Sequence, residues 1–350
     1  MDRRTFLAGV GLTGTATLSG CQGIVFGGNR LQWRFETGDG VTSVPALGED
    51  RLYTGSRDGR VYAIDRSTGT EEWRFEAGQD IAGSPTLGDG ILYVGSWDGH
   101  VYALEDDGQE LWTFDTGGYV GATPTITEET IYVGSGSRAL YAIDRTTGEP
   151  RWTFDEPEDD VLSTAVVSWG VVYVGSNDGR LYAVDADRGR QRWTASTGGA
   201  VNSTVAPWED SLFVGSYDTH LYAIDRDDGE EQWAFETDGR VQSSPTVAGG
   251  IVYVGSADGS VYAIDAERGE RRWRYDTGGT IYNSAPVFDD GTLYIGAGGR
   301  RAAGIHAIDA ESGEREWRFG TDGTVHDSPA VDDGSLYCGC RDGYVYAIEL

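Results

Sequence analysis

The chain has 350 residues, 53 of them Gly, and carries 27 basic against 57 acidic side chains, every basic one an Arg, for a net charge of −30. So even an acidic excess repels nucleic-acid phosphates and anionic lipid headgroups, which excludes nucleic acid as a partner. Gly stands at about twice its usual share of roughly 7% and falls at regular places between runs rich in Val, Ile and Tyr, which is turn chemistry rather than disorder.

Residues 1–20 read as a separate leader. Asp2-Arg3-Arg4-Thr5-Phe6-Leu7 resembles a twin-arginine export signal, and Leu18-Ser19-Gly20-Cys21 resembles a lipobox in which Cys21 is acylated and left at the mature N-terminus. The apolar stretch between them is shorter than the ~20 residues that a membrane span needs. The expectation is an exported protein held by lipid at the outer face of the cytoplasmic membrane, with residues 21–30 as lipidated Cys and tether; a cleaved signal with an incidental Cys21 is the alternative. The acidic composition without Lys resembles that of proteins from extreme halophiles, in which scattered Asp and Glu keep the surface hydrated. The other reading is an acidic face that captures cations or a basic partner.

From residue 31 the chain is periodic. Residues 31–36, LQWRFE, alternate like a strand and hold Trp33, but the turn that should precede this Trp is missing. The complete unit appears at residues 61–73, VYAIDRSTGTEEW, as A-x-D-x-x-T-G-x-x-x-W from Ala63 to Trp73. Trp33, Trp73, Trp112, Trp152, Trp193, Trp233, Trp273 and Trp317 follow one another at 40, 39, 40, 41, 40, 40 and 44 residues. A second marker, aromatic-x-Gly-small, keeps the same beat at Tyr53, Tyr93, Tyr132, Tyr173, Phe213, Tyr253, Tyr294 and Tyr337. Such a period marks a stacked or radial array.

Each unit reads as four short strands. In the sixth these are residues 241–247, 251–256, 260–265 and 271–276, with Ala257-Asp258-Gly259 between the second and third. Asp-Gly recurs there at residues 58–59, 98–99, 178–179 and 342–343, a strong hairpin signal. The chain stops at Tyr346-Ala347-Ile348-Glu349-Leu350, where other units continue to their Trp. Residues 31–36 therefore supply the last strand of the eighth unit, and ring closure removes both exposed edges. The fold expected is all-β, an eight-bladed β-propeller over residues 31–350, as a monomeric ring. WD repeats share the period, but none of the eight Trp is followed by Asp, and kelch repeats run nearer ~50 residues.

The pattern at Ala63 to Trp73 and at Ala142 to Trp152 resembles the tryptophan-docking repeat of pyrroloquinoline-quinone-like (PQQ-like) propellers, with looser copies ending at Trp193, Trp233, Trp273 and Trp317. The unit from Ala103 to Trp112 is one residue short and has Glu105 in place of Asp, so its turn should differ. All eight repeat Trp are assigned to docking on a neighbouring blade, where burying ~200 Å² of ring is worth at most about 5 kcal/mol. Ala leaves room for the ring, Asp accepts turn N–H groups, and Gly takes the positive backbone angle. The resemblance implies either a quinoprotein dehydrogenase or a non-catalytic scaffold of the BamB type. A dehydrogenase of this kind is expected to hold its quinone over the axis between a Trp and a vicinal disulfide, with calcium on carboxylate and Asn. This chain has no adjacent Cys; Cys338 and Cys340 sit two apart as buried thiols, a redox or metal pair, or a strained disulfide. No cofactor, no metal and no catalysis are therefore expected, with a diverged PQQ-dependent dehydrogenase and an extracellular ligand sensor as alternatives.

No catalytic set stands out. His306 replaces a Tyr and reads as packing, His100 and His220 follow hairpin turns, and the acidic loop of residues 156–160 is either solvated or a calcium site. Function should lie where the copies disagree. After the leading Val or Ile of each unit come Thr42, Ala82, Gly121 and Leu162, then Asn202, Gln242, Tyr282 and His326, with Asn283 and Asp327 next door. Half of a channel mouth would thus be polar, as a ligand or peptide footprint or as drift among solvated loops. Trp97 and Tyr217 at hairpin tips are exposed aromatics of the kind that anchor interfaces. Arg300 and Arg301, in an enlarged hairpin of the seventh unit, either grip a carboxylate or belong to a mobile insertion. A protein or peptide partner is the expected ligand.

Overall fold

A computed structural model describes residues 30–350 as 32 strands without a helix. The leader at 1–20 and Cys21 lie outside the described residues. The strands form eight separate four-stranded antiparallel sheets. Seven are continuous meanders, and the eighth is completed by Leu31–Glu36, which pairs antiparallel with Tyr344–Glu349 in the register Leu31 to Ile348 and Glu36 to Tyr344. The closure expected from the split motif is what the chain builds. Two bonds between Arg30 and Glu349 extend the seam, with Glu349 N donating to Arg30 O at 2.8 Å and the Arg30 guanidinium Nη1 donating to Glu349 O at 3.0 Å.

Eight apolar clusters fill the structure, one at each of the eight junctions between neighbouring blades. Leu52, Tyr62 and Ile64 of the first blade, for example, pack with Tyr337, Val345 and Ala347 of the last. The core is thus a ring of equal interfaces. The paired second and third strands of each blade, such as Arg51–Gly55 with Arg60–Asp65, are almost wholly buried, whereas the outermost, such as Glu71–Glu76, alternates.

The repeat motif does its expected work at these junctions. Trp33 Nε1 donates to Arg66 O at 2.8 Å, Trp73 to Asp106 O at 2.7 Å and Trp233 to Ala266 O at 3.1 Å, each across to the next blade. Trp112, Trp152, Trp193 and Trp273 do the same. Gly69 lies under Trp33 with φ 70°, and a Cβ there would come within 2.5 Å of the indole, so both the angle and the space require Gly. Asp65 Oδ1 accepts the Ser67 and Thr68 hydroxyls at 2.7 and 2.8 Å and their N–H groups at 3.0 and 2.7 Å, and these bonds, the hydroxyls foremost, hold its carboxyl down at about 2. Trp317 differs, because the turn it would meet is replaced by the two ends of the ring; the Arg30 guanidinium lies 4.5 Å over its ring. In the short second unit Gly108 N bonds Glu105 O, one residue tighter than Gly69 N to Asp65 O, while Gly108 still sits beneath Trp73.

One expectation is corrected. The innermost strand of the sixth blade is Thr246–Ala248 rather than residues 241–247, and its counterparts are two or three residues long. Residues 241–245 form a loop, because Ser243 is turned away from ladder pairing to hold the second strand: its Oγ accepts Gly255 N at 3.1 Å. The Cys pair is settled too, with both thiols unbonded and buried between the seventh and eighth blades. Burial pushes the Cys340 thiol up to about 12.

Candidate functional site

The antiparallel meander puts the blade-entering loops and the turns between second and third strands on one face of the ring. Each pair is locked by a backbone bond, Trp97 N to Asp80 O at 2.9 Å and Tyr217 N to Ala200 O at 2.9 Å among them. Hairpin-tip side chains are thereby held over the channel. The mouth they frame is a cavity of about 300 Å³.

Its wall is divided. Ala82, Gly121 and Leu162 form an apolar arc, roofed by Trp97 and Tyr119, whose rings lie 5.7 Å apart. Trp97 is 41% exposed, and its Nε1 lies 3.6 Å from where a Gly121 Cβ would stand. The Tyr119 hydroxyl is fixed by Asp160. Asn202, Gln242, Asn283 and His326 form the facing polar arc. Here Tyr217 is the hub: its hydroxyl oxygen accepts Asn202 Nδ2 at 3.0 Å and Gln242 Nε2 at 2.7 Å, with the Arg240 guanidinium 5.2 Å over its ring. Two buried atoms in this arc, Asn202 Oδ1 and His326 Nδ1, have no hydrogen-bond partner. Buried polar atoms are rarely left unpaired, which sets this arc apart from the paired scaffold turns.

Below the mouth a throat of about 90 Å³ is lined by Ser84, Thr123, Thr164, Thr204 and Ser244. Their hydroxyls tie successive blades together, with Val44 N donating to Ser84 Oγ at 2.8 Å and Thr204 N to Ser244 Oγ at 2.9 Å. Asp327 reaches both mouth and throat, and its Oδ2 is 3.5 Å from His326 Nδ1.

A profile of the family described as outer membrane protein assembly factor BamB matches residues 27–119, 98–207, 197–303 and 279–350. The chain belongs to the BamB family. Among solved structures, BamB from Moraxella catarrhalis superposes with a TM-score of 0.78 at 20% identity, over 91% of this chain and 99% of that one. The computationally designed Ika8 protein does so with a TM-score of 0.78 at 17% identity, over 92% of this chain and 100% of that one. At such identities the likeness is one of fold. No curated protein matches the chain.

The structure brings together Trp97, Asn202, Tyr217, Gln242, Asn283, His326 and Asp327 in this BamB-family propeller. Tyr282 is not in that wall. Blade seven has one extra residue, six steps from buried Ile281 to Val287 where blade six takes five from Val241 to Thr246, so Asn283 occupies the place of Gln242. Tyr282 instead stacks on His326 from behind, with ring centroids 5.1 Å apart and 15° between planes. Arg300 and Arg301 also miss the mouth. Their hairpin folds back on its own blade: Ala302 and Ala303 are buried, and their carbonyls accept His306 Nε2 at 2.9 Å and Arg318 at 2.8 Å. The two guanidiniums that do reach the wall are Arg57 and Arg341. The sequence signal was there, since both occupy the tip position of Trp97 and Tyr217. A recurring hub was missed as well: Asp98 Oδ2 accepts the Tyr102 hydroxyl at 2.8 Å and Gly78 N at 2.7 Å, joining turn, third strand and entering loop. Its signature is the D-G-x-x-Y spacing.

The mouth does not fit a sandwiched quinone with calcium. Trp97 leans on Tyr119 instead of facing a disulfide across the axis, and the two thiols lie inside a blade junction. Among the described residues no three His, Cys, Asp or Glu side chains converge on a metal position.

Proposed function

We propose that the protein is an exported, lipid-anchored, non-catalytic scaffold that holds a segment of a partner protein in the channel mouth. The observation that carries this reading is the divided wall, an aromatic and apolar arc facing amides and an imidazole with unpaired buried atoms. A polypeptide segment presents both kinds of surface at once, apolar side chains for the first and backbone N–H and C=O groups for the second. Membership of the BamB family supports the scaffold role, and the leader with Cys21 supports export and anchoring at the cell surface.

The test is capture of partners in molar salt by wild type and by a Trp97→Ala, Gln242→Ala double variant. The variant should lose most of the captured protein while melting within about 2 °C of wild type; equal capture by both would overturn the mouth as the site. Pyrroloquinoline quinone with calcium should give neither a melting shift nor dye reduction, and either response would restore the dehydrogenase reading. Replacing Cys21 with Ser should release the protein into the medium, and unchanged membrane fractionation sinks the anchor.

A further inference from the structure

The ring has two unlike faces. Opposite the mouth lie the turns joining first to second and third to fourth strands. Of the five large hydrophobic side chains exposed among the described residues, Trp97 alone belongs to the mouth face. Trp169, 53% exposed, sits in a first-to-second-strand turn, and Phe288, 41% exposed, near the end of an innermost strand. Leu31 and Leu111 stand at the starts of outermost strands, at the same end of the blades. Trp169 is held outward at φ 50°, an uncommon angle for a bulky residue, with the Arg226 guanidinium 4.4 Å over its ring.

Chain direction supplies an independent observation. Outermost strands run from this face toward the mouth face, so the chain enters the ring here, at Arg30 and Leu31. From Cys21 to Leu31 is ten residue steps, at most roughly 35 Å of extended chain. A six-residue strand adds ~20 Å between the two faces, which would consume most of that reach before lipid could meet the mouth.

We propose that the face opposite the mouth is the membrane side of the anchored ring, with Trp169, Phe288 and Leu31 at headgroup level and the mouth held open to the exterior. The proposal rests on the anchoring of Cys21. Trp with an adjacent Arg is the pairing suited to a lipid–water boundary, where an apolar body and a charged tip are both satisfied. Acidic turn residues on this face, Asp89, Asp290 and Asp333 among them, repel anionic headgroups in dilute buffer, but at 1 M salt the screening length falls to about 3 Å. Seating is therefore expected in concentrated salt.

The experiment is hydroxyl-radical footprinting of the full-length acylated protein on phosphatidylcholine vesicles in molar salt, against the soluble Cys21→Ser variant. Trp169 and Phe288 should oxidise at least threefold more slowly on vesicles, with Trp97 unchanged. Protection of Trp97 instead, or no change at any of the three in protein that floats with the vesicles, overturns the orientation and leaves anchoring intact. Acylated protein that does not float refutes the anchor, and the orientation falls with it.

Discussion

His306 makes the stability of the ring depend on pH in a way that one substitution should abolish. It stands where the sister blades have Tyr, is 1% exposed, and bonds Tyr275 through Nδ1 at 3.0 Å and Ala302 O through Nε2 at 2.9 Å. Neutral imidazole satisfies both partners, with Nε2–H donating and Nδ1 accepting. Burial, with a smaller contribution from Arg318 and Arg315, lowers its pKa from 6.5 to about 4. The unfolded chain therefore binds a proton that the folded ring refuses. Stability is complete above the unfolded value and is lost as pH falls from 6.5 toward 4, at about 1.4 kcal/mol per pH unit. The loss is on the order of 2 kcal/mol at pH 5 and about 3 kcal/mol near pH 4. His306→Gln keeps one donor and one acceptor but does not titrate. Urea midpoints of the two proteins, compared from pH 7.5 to 4, cancel the carboxylates common to both. Their difference should narrow steadily as the wild type weakens; a constant difference across that range refutes the buried neutral imidazole.

Trp233→Ala removes an indole and its bond to Ala266 O and should cost about 3–5 kcal/mol, lowering the thermal midpoint of the whole ring; a change confined to partner capture would count against docking. Gly269→Ala acts on the same contact from below, since φ is 68° and a Cβ would lie 2.7 Å from the Trp233 ring. It should destabilise by more than 1 kcal/mol, visible as a lower denaturant midpoint, and a neutral result would mean that the turn relaxes. Tyr217→Phe strips Asn202 and Gln242 of their shared acceptor. Capture should weaken at least several-fold, with a stability change of about 1 kcal/mol measured by denaturation, and full capture would show that the amides need no fixing.

What could be read in advance was whatever the copies share. The split unit at Leu31–Glu36 announced ring closure, and the outermost strand Arg271–Asp276 fell where the repeat and Trp273 put it. Asn202, Gln242, Asn283 and His326 could be assembled at one mouth only because eight aligned positions were compared. Reading failed where a copy changed length. The extra residue before Val287 moves Tyr282 out of the wall, and no local propensity signals which residue in a loop is the added one. The enlarged hairpin near Arg300 also misled, because its small Ala302 and Ala303 are buried beneath it while the charges face solvent. The exposed face opposite the mouth was passed over for a different reason. Trp169 and Phe288 are solitary in sequence, and only the fold gathers them at one end of the blades.

The unbonded thiols of Cys338 and Cys340 sit at 0% exposure in the junction beside the blade that carries the seam. Burial raises both pKa values far above neutrality, so the nucleophilic thiolate is scarce as well as hidden. A thiol reagent reaches them only after the seventh and eighth blades part. The pair is consequently a built-in clock: the labelling rate at each salt concentration reports how often the seventh and eighth blades separate, without any substitution that would disturb them.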